Sequence, residues 1–229
     1  MAIFDLLLCI PPTSVKCETT FLQMKFIKTS RRTKLKPSTL NDLLTVKIES
    51  SRVEEYDPES ALNVWPAIQK RVSGSLRFDR NWTEYKNGFG SPEQDVWIGN
   101  DVIHQLTKRK DCSLYVSITL VNGTRLYQLY DGFTVSDESE NYKLSLKGAT
   151  RGTVGDSIRN TYIPAFNVPG MYFSTLDRDN DRLGGDSCAV YNGGGWWFNA
   201  CHQAFLNDPW ASPDWSYVWD PYISRTGQK

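Results

Sequence analysis

Hydrophobic and polar positions alternate most clearly in residues 113–121, SLYVSITLV, where Leu114, Val116, Ile118 and Leu120 interleave with smaller or more polar residues. That period of two marks a half-buried β-strand. Asn122-Gly123 follows and favours a tight hairpin turn. The return strand runs from Leu126 to about Phe133, and Tyr142, Leu144 and Leu146 open another. Upstream, Asn100 caps a short predicted helix reaching about Leu106, with Val102, Ile103 and Leu106 on one face. His104 rides on that helix and reads as a packed or surface histidine rather than a ligand. Gly74, Gly88, Gly90 and Gly99 punctuate the region, and Trp82, Phe89 and Trp97 supply bulky core anchors. Consecutive antiparallel strands with helices beside them predict an α+β sheet domain.

Residues 1–60 lack this organisation and read as a divergent, poorly ordered segment ahead of a domain at 61–229. Residues 1–10, MAIFDLLLCI, are weakly apolar; without a positive start, and with Asp5 inside, they do not clearly form a signal peptide. Lys25, Lys28, Arg31, Arg32, Lys34 and Lys36 make a basic run ended by Pro37. Such a run reads as a nuclear signal, a heparin-type site or, more commonly, a solvated tail. Leu40, Leu43, Leu44 and Val46 fit a short amphipathic helix or a strand equally well. The domain itself divides near residue 150 into a sheet part, 61–150, and a loop-rich part, 151–229.

A chain of 229 residues suits one domain with an extension. Its formal net charge of zero disfavours an electrostatic nucleic-acid binder, and no apolar run reaches membrane-spanning length. Abundant aromatics, tryptophan above all, suit a loop-rich β protein or a carbohydrate-binding surface.

The candidate chemistry gathers in residues 173–201, FSTLDRDNDRLGGDSCAVYNGGGWWFNAC. Asp177, Asp179 and Asp181 place like charges at alternate positions. Hard cations such as calcium take six to eight oxygens from carboxylates and carbonyls. An EF-hand is excluded, because Arg182 and Cys188 stand where its glycine and last acid belong. Two readings stay open: a one-off calcium loop finished by carbonyls of the Leu183-Gly184-Gly185 turn, or a solvated acidic turn. Cys188 and Cys201 are either a short disulfide loop or half of a zinc site; no zinc-spaced partners exist, so the disulfide is preferred. Cys112 reads as a buried thiol or as a partner of Cys9 or Cys17. Asn81-Trp82-Thr83 and Asn122-Gly123-Thr124 are glycosylation sequons, the second on a turn. No nucleophile–base spacing, phosphate loop or catalytic zinc motif is present, so an enzyme is not expected.

Taken in order, IQKRVSGSLRF (68–78), NWTEYKNGFG (81–90), VWIGNDVIHQLT (96–107), FSTLDRDND (173–181), CAVYNGGGWWFNACH (188–202) and FLN (205–207) resemble the fibrinogen C-terminal globular domain. Ficolins, tachylectins, angiopoietins and tenascins share it. The resemblance implies a twisted antiparallel sheet with short helices and a loop-rich C-terminal lobe carrying a calcium loop. It implies that Asp179 and Asp181 are side-chain Ca2+ ligands, that carbonyls near Leu183 and Gly185 complete the shell, and that Asp177 stands outside it. It implies a cis Ala200–Cys201 bond, aiming the N–H groups of Cys201 and His202 at one point beside the Cys188–Cys201 loop.

In related lectins that point receives an N-acetyl carbonyl. Here Asn192 and Pro213 replace wall tyrosines, and Asp214 replaces a small residue. An acid there is similar to the fibrin pocket for a cationic peptide terminus, lined by Asn192, His202 and Asp214. Tyr191, Trp210 and Trp215 either rebuild an aromatic wall or pack in the core. The family's last strand has no counterpart after Tyr222-Ile223, so a shortened chain is expected. The leading expectation is therefore a secreted, calcium-dependent lectin of innate-immune type, binding carbohydrate or acetylated ligands. The alternative is a protein-interaction module with structural calcium, of angiopoietin, tenascin or fibrinogen type. A homo-oligomer stays open in either case.

Overall fold

The computed structural model describes residues 3–10, 14–15, 50–51, 67–108, 112–120, 122–159 and 163–209, with side chains from residue 67 onward. The chain divides into two compact units, Met1–Ile10 with Ala67–Lys229, and Pro11–Pro66. In the smaller unit, β2 (Ser14–Val15) pairs antiparallel with β3 (Ser50–Ser51).

The larger unit is built on one eight-stranded antiparallel sheet. Its strands are β1 (Ile3–Ile10), β4 (Ala67–Lys70), β5 (Phe89–Gly90), β6 (Val96–Trp97), β7 (Cys112–Thr119), β8 (Arg125–Val135), β9 (Leu144–Leu146) and β10 (Thr150–Gly152). They lie in the order β10-β8-β7-β1-β4-β6-β5, and β9 pairs with the far end of β8. Helices α1 (Trp82–Asn87) and α2 (Asn100–Lys108) accompany the sheet, completing an α+β fold.

Strand β1 corrects the expected division at residue 60. Residues 3–10, expected in the divergent, poorly ordered N-terminal segment, lie inside the sheet, with Leu7 opposite Gln69 on one side and Val116 on the other. Their near-continuous apolar run shows no alternation from which a strand could be read.

Strand β7 differs from expectation for a related reason. Its predicted half-buried alternation gives way to burial at each residue from Cys112 to Ile118. It is central, between β1 and β8, and its polar Ser113 donates to Asp131 Oδ1 at 2.7 Å. Cys112 is buried, its Sγ 3.7 Å from the Leu106 carbonyl oxygen. The hairpin turn forms at Asn122-Gly123 as the sequence predicts, and Gly123 supplies the left-handed conformation there (φ 82°). Asn100 begins α2 rather than preceding it, and its Oδ1 accepts the buried Trp97 indole N–H.

Helix α1 starts with a full capping box: Asn81 Oδ1 accepts from Glu84 N, and Glu84 Oε2 accepts from Asn81 N. Trp82 and Tyr85, three apart, turn one face into the core. Asp95 pins the preceding loop. Burial opposes its charge, but N–H groups of Ser73, Val72 and Leu76 and the Ser73 hydroxyl outweigh it, holding the carboxyl below its usual range.

An aromatic chain carries the core into the C-terminal lobe. Tyr85 meets Trp97 and Phe173 at ring distances of 5.4 and 5.1 Å, and Phe173 meets Trp197 at 5.0 Å. After β8 the chain turns through Asn141 and Tyr142, both at positive φ, and this corner receives the lobe. The Trp197 indole donates to the Tyr142 carbonyl at 2.7 Å, Phe173 N to the Asn141 carbonyl, and Arg178 to Asn141 Oδ1.

Candidate functional site

The lobe has little regular structure. It is organised by side-chain and turn hydrogen bonds around α3 (Cys188–Asn192). Ser187 caps the helix, its Oγ accepting from Val190 N, and Gly193 ends it at φ 73°, a conformation that costs other residues more. Gly195 is required for a different reason. A Cβ there would lie 2.6 Å from the Tyr85 ring. Tyr85 OH donates to the Phe78 carbonyl at 2.6 Å and accepts from Gly195 N at 3.0 Å, fixing the glycine turn onto α1. Tyr85 went unremarked in the sequence, although its spacing from Trp82 marks one helical face.

Cys188 and Cys201 are joined in a disulfide, with Cα atoms 5.5 Å apart. The Ala200–Cys201 peptide is cis. Among the described residues, none accepts a hydrogen bond from the N–H groups of Cys201 or His202. Asn192 sits across from them. Its Nδ2 donates to the Cys188 carbonyl at 2.7 Å, which leaves Oδ1 to face His202 Nε2 at 3.0 Å. His202 must therefore carry its proton on Nε2, and its buried Nδ1 has no hydrogen-bond partner among the described residues. Phe198 and Phe205 flank the ring at 5.7 and 5.1 Å. Burial lowers the His202 pKa to about 4, so the imidazole is neutral at physiological pH. These two phenylalanine neighbours could not be read from residue spacing. On the outer face of α3, Val190 and Tyr191 are 60% and 85% exposed.

The three aspartates separate by role. Asp177 Oδ1 accepts from Trp82 N at 2.8 Å and from the Thr175 hydroxyl at 2.7 Å, so this carboxylate ties the loop to α1. Asp179 Oδ1 accepts from Asp181 N at 3.1 Å. Asp181 accepts from Leu183 N at 2.8 Å and, through its other oxygen, from Cys188 N at 2.7 Å. Burial, together with the Asp179 charge beside it, raises the Asp181 pKa against the pull of those N–H groups. Arg178, between Asp177 and Asp179 in sequence, lies over the Trp82 ring at 4.0 Å. Two adjacent carboxylates remain, with a turn whose Leu183 and Gly185 carbonyls accept no backbone N–H among the described residues. That donor set fits a hard cation. No group of three metal-ligating side chains occurs among the described residues, so a cation here would need main-chain oxygens.

Asp214, Pro213, Trp210, Trp215 and Tyr222-Ile223 lie outside the described residues, as do Cys17, the basic run 25–36 and residues 40–46. His104 is a packed residue, with Nδ1 2.9 Å from the Val135 carbonyl. Among the described residues, no helix is long and apolar enough to cross a membrane.

This lobe and sheet define a fibrinogen-like globe. The family model for the fibrinogen beta and gamma chains, C-terminal globular domain, matches residues 35–219, and the chain belongs to that family. Fibroleukin of Bos taurus is 44% identical over 151 residues, 66% of this chain and 34% of the relative. The chain thus spans about a third of that relative's length. The fibrinogen-like globe domain of human ANGPTL2 superposes with a TM-score of 0.59 at 40% identity, covering 68% of this chain and 66% of that one. Lamprey fibrin D-dimer, complexed with the peptide ligand Gly-His-Arg-Pro-amide, superposes with a TM-score of 0.58 at 25% identity, covering 82% and 69%. Relatives of this kind favour protein recognition over the carbohydrate reading that led the sequence-based expectation.

Proposed function

We propose that this chain is an extracellular recognition module for a protein ligand, taking an exposed peptide segment at the hairpin around Cys201 and His202. The observation that carries the reading is that, among the described residues, nothing accepts from the N–H groups of Cys201 and His202 at the disulfide, while Tyr191 of α3 stands exposed. A peptide backbone offers carbonyl oxygens complementary to those donors. The similar lamprey protein is held with a peptide ligand. Asp214 would meet a cationic amino terminus, as its resemblance to the fibrin pocket implies. Asp179 and Asp181, with the Leu183 and Gly185 carbonyls, would hold Ca2+, whose charge relieves carboxylate repulsion and orders the turn before α3. In this reading the chain binds rather than catalyses.

Carbohydrate binding is the second reading, because an N-acetyl carbonyl also suits the Cys201 and His202 N–H pair. Calorimetry with Gly-His-Arg-Pro-amide and with N-acetylglucosamine, each with calcium and then with chelator, separates the two. Peptide binding that weakens about ten- to a hundredfold in Asp214→Ala supports the proposal, as expected for losing a charge-assisted hydrogen bond. Binding of the sugar alone supports the lectin reading. Binding of neither removes both.

A further inference from the structure

We infer that Asn122, and not Asn81, is an N-glycosylation acceptor of this protein. The inference rests on the extracellular reading above, and it concerns a different part of the molecule. Both residues head an Asn-x-Thr sequon and both are exposed. The structure distinguishes what their side chains are doing.

Asn122 sits at the tip of the β7–β8 hairpin. Its Oδ1 accepts from Thr124 N at 2.9 Å, so the sequon is already closed into an Asx turn across its own Asn and Thr. Among the described residues no acceptor takes Asn122 Nδ2. The adjoining Gly123 has open space where a side chain would project. Asn81 is committed elsewhere. Its Oδ1 accepts from Glu84 N at 2.9 Å, its backbone N–H donates to Glu84 Oε2, and its sequon continues into α1. The middle residue, Trp82, is buried, with its N–H held by Asp177. The local fold that places Asn and Thr together at Asn122 is thus opposed at Asn81 by a helix cap.

The co-reactant is an oligosaccharide joined through its anomeric carbon to a lipid diphosphate. Asn122 Nδ2 loses one proton and bonds to that carbon; the carbon–oxygen bond breaks, and the lipid diphosphate leaves with the electron pair. The glycan would stand at the opposite end of β8 from the corner that receives Phe173, Arg178 and Trp197. Strand β8 separates the hairpin tip from the Asn141–Tyr142 corner, and its 11 residues span roughly 35 Å at about 3.3 Å per residue.

The test is to express the full chain behind a cleavable secretion leader in animal cells, and to analyse both medium and cell lysate. Supplying the leader keeps the result independent of how the natural protein is routed, so failure here is distinct from failure of the extracellular reading. Peptide:N-glycosidase should shift one glycan, converting Asn122 alone to Asp in heavy-oxygen water. The shift should vanish in Asn122→Gln and in Thr124→Ala, which leaves the asparagine in place, and should persist in Asn81→Gln. An absent shift, a shift that survives Asn122→Gln, or a second glycan on Asn81 overturns the inference.

Discussion

His202 shows how one side chain sets the pH behaviour of the site. Its folded pKa of about 4 lies below the unfolded value near 6.5, so the unfolded chain binds more protons between the two. Stability is full above pH 6.5 and falls as pH drops towards 4, by roughly 3 kcal/mol for a shift of that size. Urea unfolding at pH 7 and at pH 4.5 should show that loss in the wild type. His202→Phe keeps the ring packing against Phe198 and Phe205 but removes the proton site, and its pH slope should be clearly shallower. An unchanged slope would assign the effect to other groups. His202 was legible as a rare residue beside a glycine-rich turn. Which ring nitrogen stands bare was not, because the Asn192 amide decides it through its bond to the Cys188 carbonyl.

At the scale of elements, the glycine turn and α1 behave as one unit. Gly195→Ala forces a methyl against a buried tyrosine ring and should cost about 1–3 kcal/mol, read as a lowered melting temperature. Tyr85→Phe strands the Gly195 N–H and the Phe78 carbonyl, at a similar cost of roughly 1–3 kcal/mol. The disulfide acts on the same turn from the other side. Its cysteines are 13 residues apart, and replacing both by alanine should remove about 2–3 kcal/mol while loosening the Cys201–His202 donors. The turn and disulfide were readable from residue type alone. Burial on β7 was not, since a strand's own alternation says nothing about what covers its second face, and β1 lies more than a hundred residues away in sequence.

For the whole molecule, a cation held as proposed at the acidic loop would link binding to stability with a change of sign. Asp179→Asn keeps the oxygen that accepts from Asp181 N but removes the repulsion between the two carboxylates. In chelator the variant should melt above the wild type, and in calcium below it. Curves that keep one order in both conditions would remove the cation from the proposal. The fold as a whole was legible because the six motifs keep their order along the chain. The assembly of the sheet was not, for it depends on pairings between distant segments.

That assembly affects how the protein is made. The strand at Ile3–Ile10 is synthesised before its partners, which begin at Ala67 on one flank and end at Thr119 on the other. Through most of that synthesis an apolar segment waits with its backbone groups unmatched, the kind of exposed edge on which stray chains polymerise. Closing so long a loop is slow. A growing chain of this design is a natural client for a chaperone that shelters this strand until the later ones arrive.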